Sequence, residues 1–182
     1  SDEEMGDFYN LYTKHVFGDN PKMEYLTEIQ DRENGGPVLV DFDFRHSKDT
    51  IERQFDEDTI TSIIDHYTEK IQELVKIENE IKFPIYIFTK DGINTTTDLV
   101  NKDGIHMVIG LHMDHTLQQI LRNLVKKTIY DEIFEDLNLI NEIDDVLDEG
   151  ITKGQTGWQL YGSRKPGCDA YKLTNKFEIT LK

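Results

Sequence analysis

The sequence predicts a mixed α/β (α+β) protein, and three observations carry that prediction. The apolar run Val38-Leu39-Val40 follows turn chemistry at Gly35-Gly36-Pro37 and leads into alternating residues to Phe44, the pattern of a strand. Between Thr59 and Ile77 the apolar positions Ile60, Ile63, Ile64, Tyr67, Ile71, Leu74 and Val75 trace one helical face. Strand and helix signals then alternate to the end, with no internal repeat, low-complexity tract or interdomain linker, so residues 1–182 read as one continuous domain.

The remaining elements follow in order. Phe8 to Val16 is expected to form a short helix that stops before Gly18 and Pro21, and Met23 to Ile29 a short strand. Ile85 to Phe88 reads as a strand behind Pro84. Asp91 to Gly104 is polar and turn-rich, the expected loop before a strand Ile105 to Leu111. Thr116-Leu117-Gln118-Gln119 has the capping-box pattern, with Leu117, Ile120, Leu121, Leu124 and Val125 as the buried stripe of the helix it opens. An acidic segment runs to Leu147. Trp158 to Tyr161 reads as a strand, and Tyr171 to Thr174 with Phe177 to Leu181 as a closing hairpin.

Composition narrows the function classes. One cysteine, Cys168, excludes an internal disulfide, and no apolar segment approaches the length of a membrane span, so a soluble intracellular protein is expected, with no membrane partner. The chain starts Ser1-Asp2-Glu3 without a methionine, the expected mark of a piece of something longer. A net charge of −16 argues against a protein that coats nucleic acid, because phosphate-backbone binding is driven by Lys and Arg. The acids concentrate at the amino terminus, in 54–58 and from Asp131 to Glu149, whereas Arg45, Lys102, Lys153, Arg164 and Lys165 gather beside the candidate motifs. A local positive site on a negative body suits the holding of one triphosphate better than unaided duplex binding.

Four clusters carry chemistry. In Asp41-Phe42-Asp43-Phe44-Arg45-His46 the two carboxylates project from one face of the strand. Side by side they repel, and a hard divalent ion such as Mg2+ or Mn2+ is the economical answer; two acids on a solvent face are the bland alternative. In Lys102-Asp103-Gly104-Ile105-His106, His106 is either a half-buried structural histidine or a donor to phosphate, with Gly104 allowing close backbone approach. Leu147-Asp148-Glu149-Gly150 offers a third acid, which two-metal phosphoryl or nucleotidyl transfer needs. Trp158 to Gly167 brackets Ser163-Arg164-Lys165 with glycines, giving a compact basic loop able to contact phosphate; Trp158 itself is expected in the core. His112 and His115 are spaced like a pair of zinc ligands, but lie just ahead of a helix cap.

In order and spacing these clusters resemble the catalytic domain of the archaeo-eukaryotic primase superfamily, most closely the primase domain of primase-helicases of poxvirus and giant-virus type. The first motif is matched by Val38-Leu39-Val40-Asp41-Phe42-Asp43, the second by Gly104-Ile105-His106, where serine is the commoner opening, and the viral Gly-Ser-x-Lys-Pro loop by Gly162 to Pro166. For the third, Asp144, Asp145 and Asp148 all lie nearby, and Leu147-Asp148 is chosen. The resemblance covers 38–174 and implies a primase-like fold: an RRM-like sheet carrying the acidic motif, with helices packed on it.

The function it implies is a DNA primase or primase-polymerase that makes primers on a single-stranded DNA template during viral DNA replication. Asp41, Asp43 and Asp148 would hold two Mg2+ or Mn2+ ions, and His106 would contact the incoming NTP or dNTP, helped by Lys165, Ser163 and Arg45. No Walker-type loop is present, so the module would be the primase part alone, working with the helicase domain of its parent polypeptide and other replication proteins at a viral replication site, in the cytoplasm. Two rivals stand beside it. One is a phosphatase of the haloacid dehalogenase type, in which the first Asp is a nucleophile, though Phe44 and the lack of a later Gly-Asp-x-x-x-Asp depart from that pattern. The other is a non-catalytic module that binds template or a replication partner.

Overall fold

Six strands and five helices make up the described part of the protein, residues 1–95 and 99–182 of a computed structural model. In chain order they are α1 (Asp2–Phe17), β1 (Thr27–Glu28), β2 (Gly36–His46), α2 (Glu57–Leu74), β3 (Ile81–Thr89), β4 (Asn101–Met113), α3 (His115–Lys126), α4 (Ile143–Val146), α5 (Glu149–Thr152), β5 (Trp158–Gln159) and β6 (Lys172–Leu181). A π-helical turn, Tyr130–Phe134, and a 3-10 turn, Glu135–Leu137, join α3 to α4. The four long strands form an antiparallel sheet in the order β2-β4-β3-β6, and β1 pairs with β5 in a separate two-stranded ribbon.

Alternation along the strands divides the sheet into two faces. Val38, Val40, Phe42 and Phe44 of β2, Ile85 and Ile87 of β3, and Ile105, Met107 and Ile109 of β4 are buried in a single core with α2 and α3. Phe42 is fully buried, edge-on to Tyr67 and Phe134 and stacked with Phe44. Burying a side chain of that size stabilises the fold by roughly 1.5–3 kcal/mol. The other face of β2 presents Asp41, Asp43 and Arg45, so the same two-residue period that builds the core builds the site.

The outer edge of β2 is closed by the acidic segment. Ile140 N–H donates to the Arg45 carbonyl (2.9 Å), Asn141 bonds both the Arg45 N–H (3.0 Å) and the Asp43 carbonyl (2.9 Å), and Asp148 N–H donates to the Asp41 carbonyl (3.1 Å). From α3, the buried Arg122 donates through Nε and Nη2 to the Leu147 carbonyl (3.2 and 2.6 Å).

The helix expected from Phe8 starts earlier, because Ser1 and Glu4 form a capping box over a first turn of three acids, which suits the positive end of a helix. The strand expected over 23–29 shrinks to Thr27–Glu28, and that over 158–161 to Trp158–Gln159. The expected loop 91–104, whose residues 96–98 lie outside the described residues, gives way at Asn101 to β4, which starts in two buried polar residues. Asn101 Nδ2 donates to the Lys48 and Thr50 carbonyls, and Asp103 takes a two-pronged bond from Arg53 (2.8 and 2.9 Å). The cap of α3 is Asp114, whose carboxylate accepts the Leu117 N–H (2.8 Å), two residues before the expected Thr116. The expected hairpin near the end is one continuous strand, β6, with a register shift against β3 between Ile87 and Phe88.

Candidate active site

Register brings the first two motifs together. Asp41 pairs with His106 and Asp43 with Gly104 across the β2–β4 ladder, so the carboxylates and the imidazole share the open face. His106 Nε2 lies 3.4 Å from Asp41 Oδ1, and the two side chains are 11% and 20% exposed. Burial pushes the Asp41 carboxyl up. The His106 contact, backed by the positive charges of Lys165 and Lys90, outweighs that and holds it below the usual carboxylate range. Asp43 is balanced by Arg45, two residues along the same face (3.2 Å).

Leu147 bridges to Phe42, which sets Asp148 beside Asp41 along the β2 edge. Its Oδ1 accepts the N–H groups of Gly150 (2.6 Å) and Ile151 (3.2 Å), capping α5. Asp144 is turned toward Lys126 (2.6 Å) and Arg122 (3.5 Å), and Asp145 lies 3.9 Å from Arg45. Of the three neighbouring acids, Asp148 is the one whose backbone is hydrogen-bonded to the Asp41 strand.

A cavity of about 480 Å³ opens over this face, lined by Asp41, Asp43, Asp148, His106, Arg45 and Lys165, with Lys90 and Lys102 adding positive charge on its wall. A smaller one of about 170 Å³ shares Asp41, His106, Asp148 and Lys165 and extends past Arg164. The basic loop is held to the ribbon by Gln159, whose side-chain oxygen, in the amide orientation the hydrogen bonds require, accepts the N–H groups of Arg164 (3.3 Å) and Lys165 (2.9 Å). At the turn Gly162 has φ +90°, and a Cβ there would meet the Phe17 ring and Val16 of α1.

Six of the seven expected site residues therefore line one cavity. Ser163 does not. It is 1% exposed, its hydroxyl bonded to the Tyr12 hydroxyl (2.8 Å) and accepting the Leu26 N–H (3.1 Å), so it ties α1 and the β1 approach to the loop. Trp158, expected in the core, is half-buried against the His106 ring (4.6 Å between centroids). The His112 and His115 pair forms no zinc site: both ring nitrogens of His115 face carbonyl oxygens, of Thr152 and Asp31, each at 3.0 Å.

Lys90 and Tyr171 also stand at the site. Tyr171 stacks on His106 with ring centroids 3.6 Å apart and planes at 19°, and the Lys90 ammonium lies 4.7 Å over the Tyr171 ring. Burial, reinforced by the charges of Asp41, Asp43 and Asp103, raises the Tyr171 phenol well above its usual value, so it stays protonated. Neither residue has a local signal. Both reach the site only because Lys172 pairs with Thr89, which makes Tyr171 and Lys90 neighbours at the end of the ladder.

Carboxylate oxygens on one cavity wall are the ligands a hard ion prefers. Among the described residues no group of three or more His, Cys, Asp or Glu side chains is placed to hold a metal ion, so Asp41, Asp43 and Asp148 do not by themselves form a ligand cluster. Mg2+ and Mn2+ usually take one or two protein carboxylates and complete their shell with water and substrate phosphates, so the Asp41 and Asp43 pair is a compatible donor set.

An antiparallel sheet thus carries a carboxylate pair opposite a histidine, with a basic loop alongside. The family model described as the C962R protein N-terminal AEP domain matches residues 1–177, and the chain belongs to that family of archaeo-eukaryotic primase (AEP) domains. It is also 29% identical over 167 residues to a putative helicase of Acanthamoeba polyphaga mimivirus, an alignment that takes in 90% of this chain and 17% of the relative, so the chain spans about a sixth of that protein's length. Family membership removes the phosphatase reading. Among the described residues no helix is long and apolar enough to cross a membrane.

Proposed function

We propose that this domain is a DNA primase, a template-dependent nucleotidyltransferase that condenses NTPs or dNTPs into primers on single-stranded DNA. The observation that supports it best is the pairing of Asp41 with His106 in a cavity whose walls carry both acids and cations. Asp41 and Asp43 would hold Mg2+ or Mn2+, with Asp148 completing the acidic set. Such ions, when bound, lower the proton affinity of an attacking 3′-hydroxyl and stabilise the charge of the departing pyrophosphate. The residues of this chain do the positioning. His106 and Lys165, beside the acids in the same cavity, would meet the triphosphate, and Arg45 neutralises Asp43 until the substrate brings its own cation. The depressed Asp41 carboxyl is ionised throughout the neutral range and ready as a ligand.

By analogy with the mimivirus relative, the parent polypeptide would carry a helicase domain, and the two would act with other replication proteins at a viral replication site in the host cytoplasm. The net charge of −16 favours a second reading, a module that binds template or a replication partner without chemistry. Primer synthesis on unprimed single strands, with each nucleotide pool in turn and Mg2+ compared with Mn2+, decides between them. Primers are expected from the parent and none from an equally well folded Asp41→Ala variant. An Asp41→Ala protein that still makes primers refutes the assignment. A parent that binds neither Mn2+ nor nucleotide leaves the interaction module.

A further inference from the structure

Residue 104 is a glycine in the middle of the site, and the space its side chain would fill is taken by Tyr171. A Cβ built on Gly104 would stand 2.8 Å from the Tyr171 hydroxyl oxygen, and closer still to the Phe42 carbonyl oxygen. The β4 backbone at 104, which faces Asp43 across the ladder, thus has a hydroxyl delivered over it from the approach to β6. The ring that delivers it is held on two sides. One contact is the stack on His106 at 3.6 Å, and the other is the Lys90 ammonium at 4.7 Å. Both His106 and Lys90 line the large cavity, as does Tyr171 itself. One aromatic ring therefore touches two groups suited to meet phosphate and carries a third donor, its hydroxyl, over Gly104.

We propose that Tyr171 is a substrate-contacting residue, whose phenol hydroxyl donates a hydrogen bond to the phosphate chain of the nucleoside triphosphate, serving where residue 104 has no side chain to offer. This rests on the reading of the cavity as a nucleotide site. A neutral O–H is well matched to its surroundings. The wall already carries seven acids against Arg45, Lys90, Lys102 and Lys165, and a neutral hydroxyl adds a phosphate donor without adding to that negative excess. The residue has no conformational latitude to lose on binding, because its ring is already packed before substrate arrives.

The test separates hydroxyl from ring. Tyr171→Phe keeps the stack on His106 and the Lys90 contact while deleting the oxygen, and Tyr171→Leu deletes both. Binding is titrated with Mn2+ and two probes, a non-hydrolysable nucleoside triphosphate and inorganic tripolyphosphate, alongside the unfolding midpoint of each variant. Tyr171→Phe is expected to weaken both probes about tenfold, the worth of a hydrogen bond to a charged acceptor, with its midpoint unchanged. In primer synthesis KM for the triphosphate rises with it. Parent-like affinity of Tyr171→Phe, within about twofold, overturns the proposal whatever Tyr171→Leu does, and leaves the ring as a packing element. A parent protein that binds neither probe overturns the nucleotide-site reading and this proposal together, a result distinct from the first.

Discussion

Replacing Arg122 by methionine tests how the third acidic motif is held. The Arg122 side chain is 6% exposed and gives two hydrogen bonds to the Leu147 carbonyl, a longer one to the Asp144 carbonyl (3.4 Å), and a 3.5 Å ion pair to the exposed Asp144 carboxylate. The ion pair counts for little, because Asp144 is 66% exposed and already held by Lys126. The bonds to Leu147 decide the outcome: methionine keeps most of the aliphatic packing but leaves the carbonyl of a residue that is 2% exposed without either donor. A charged hydrogen bond is worth about 1.5–3 kcal/mol and a stranded buried carbonyl costs about 1–3 kcal/mol, so with partial overlap the loss is about 2–4 kcal/mol. Urea unfolding should show a lower midpoint at unchanged slope. Because Leu147 bridges Phe42 and Asp148 follows it, Mn2+-nucleotide affinity should fall as well. A variant within about 0.5 kcal/mol of the parent would show that Arg122 does not hold the motif.

Three further outcomes follow from particular contacts. The lowered Asp41 carboxyl stabilises the fold above the unfolded value of ~4 and loses that contribution as pH falls through its lower folded value; in urea unfolding, the gap between the parent and Asp41→Asn should shrink as pH falls below ~4, and a gap that widens over that range contradicts it. Gly104→Ala drives a methyl into the Phe42 carbonyl and the Tyr171 hydroxyl and should destabilise by about 1–3 kcal/mol, read as a lowered unfolding midpoint. Ser163→Ala strands the Leu26 N–H, while the Tyr12 hydroxyl keeps its bond to the Tyr161 carbonyl (3.0 Å), and should cost about 1–3 kcal/mol in urea unfolding while nucleotide affinity stays at the parent value; an affinity loss without destabilisation would put Ser163 back among the phosphate contacts.

Local periodicity made β2 and α2 legible, since each buries one face in the same core. It hid the first half of β4, where Asn101 and Asp103 are buried through partners some fifty residues away, Lys48, Thr50 and Arg53, that no window around them contains. It also broke β6 in two, because an edge strand with exposed Lys172 to Thr174 lacks a continuous apolar face. The site divides in the same way. Asp41 and Asp43 followed from strand alternation alone, whereas Ser163 looked like a phosphate contact because a local pattern cannot tell which way a hydroxyl in a turn points. Lys90 and Tyr171 required the sheet order, which no stretch of sequence specifies.

The segment 140–148 that zips onto the margin of β2 has a consequence beyond supplying an acid. An open strand margin invites a neighbouring molecule to add on, the first step toward fibrils or exchanged subunits. Here the lid over that margin is the stretch that delivers Asp148, so a molecule whose segment has peeled away exposes a pairing edge and takes that acid from the cavity wall at once. Solubility and the acidic wall of the cavity are thereby tied to the same few hydrogen bonds, and substitutions that loosen them should surface as clumping in the test tube.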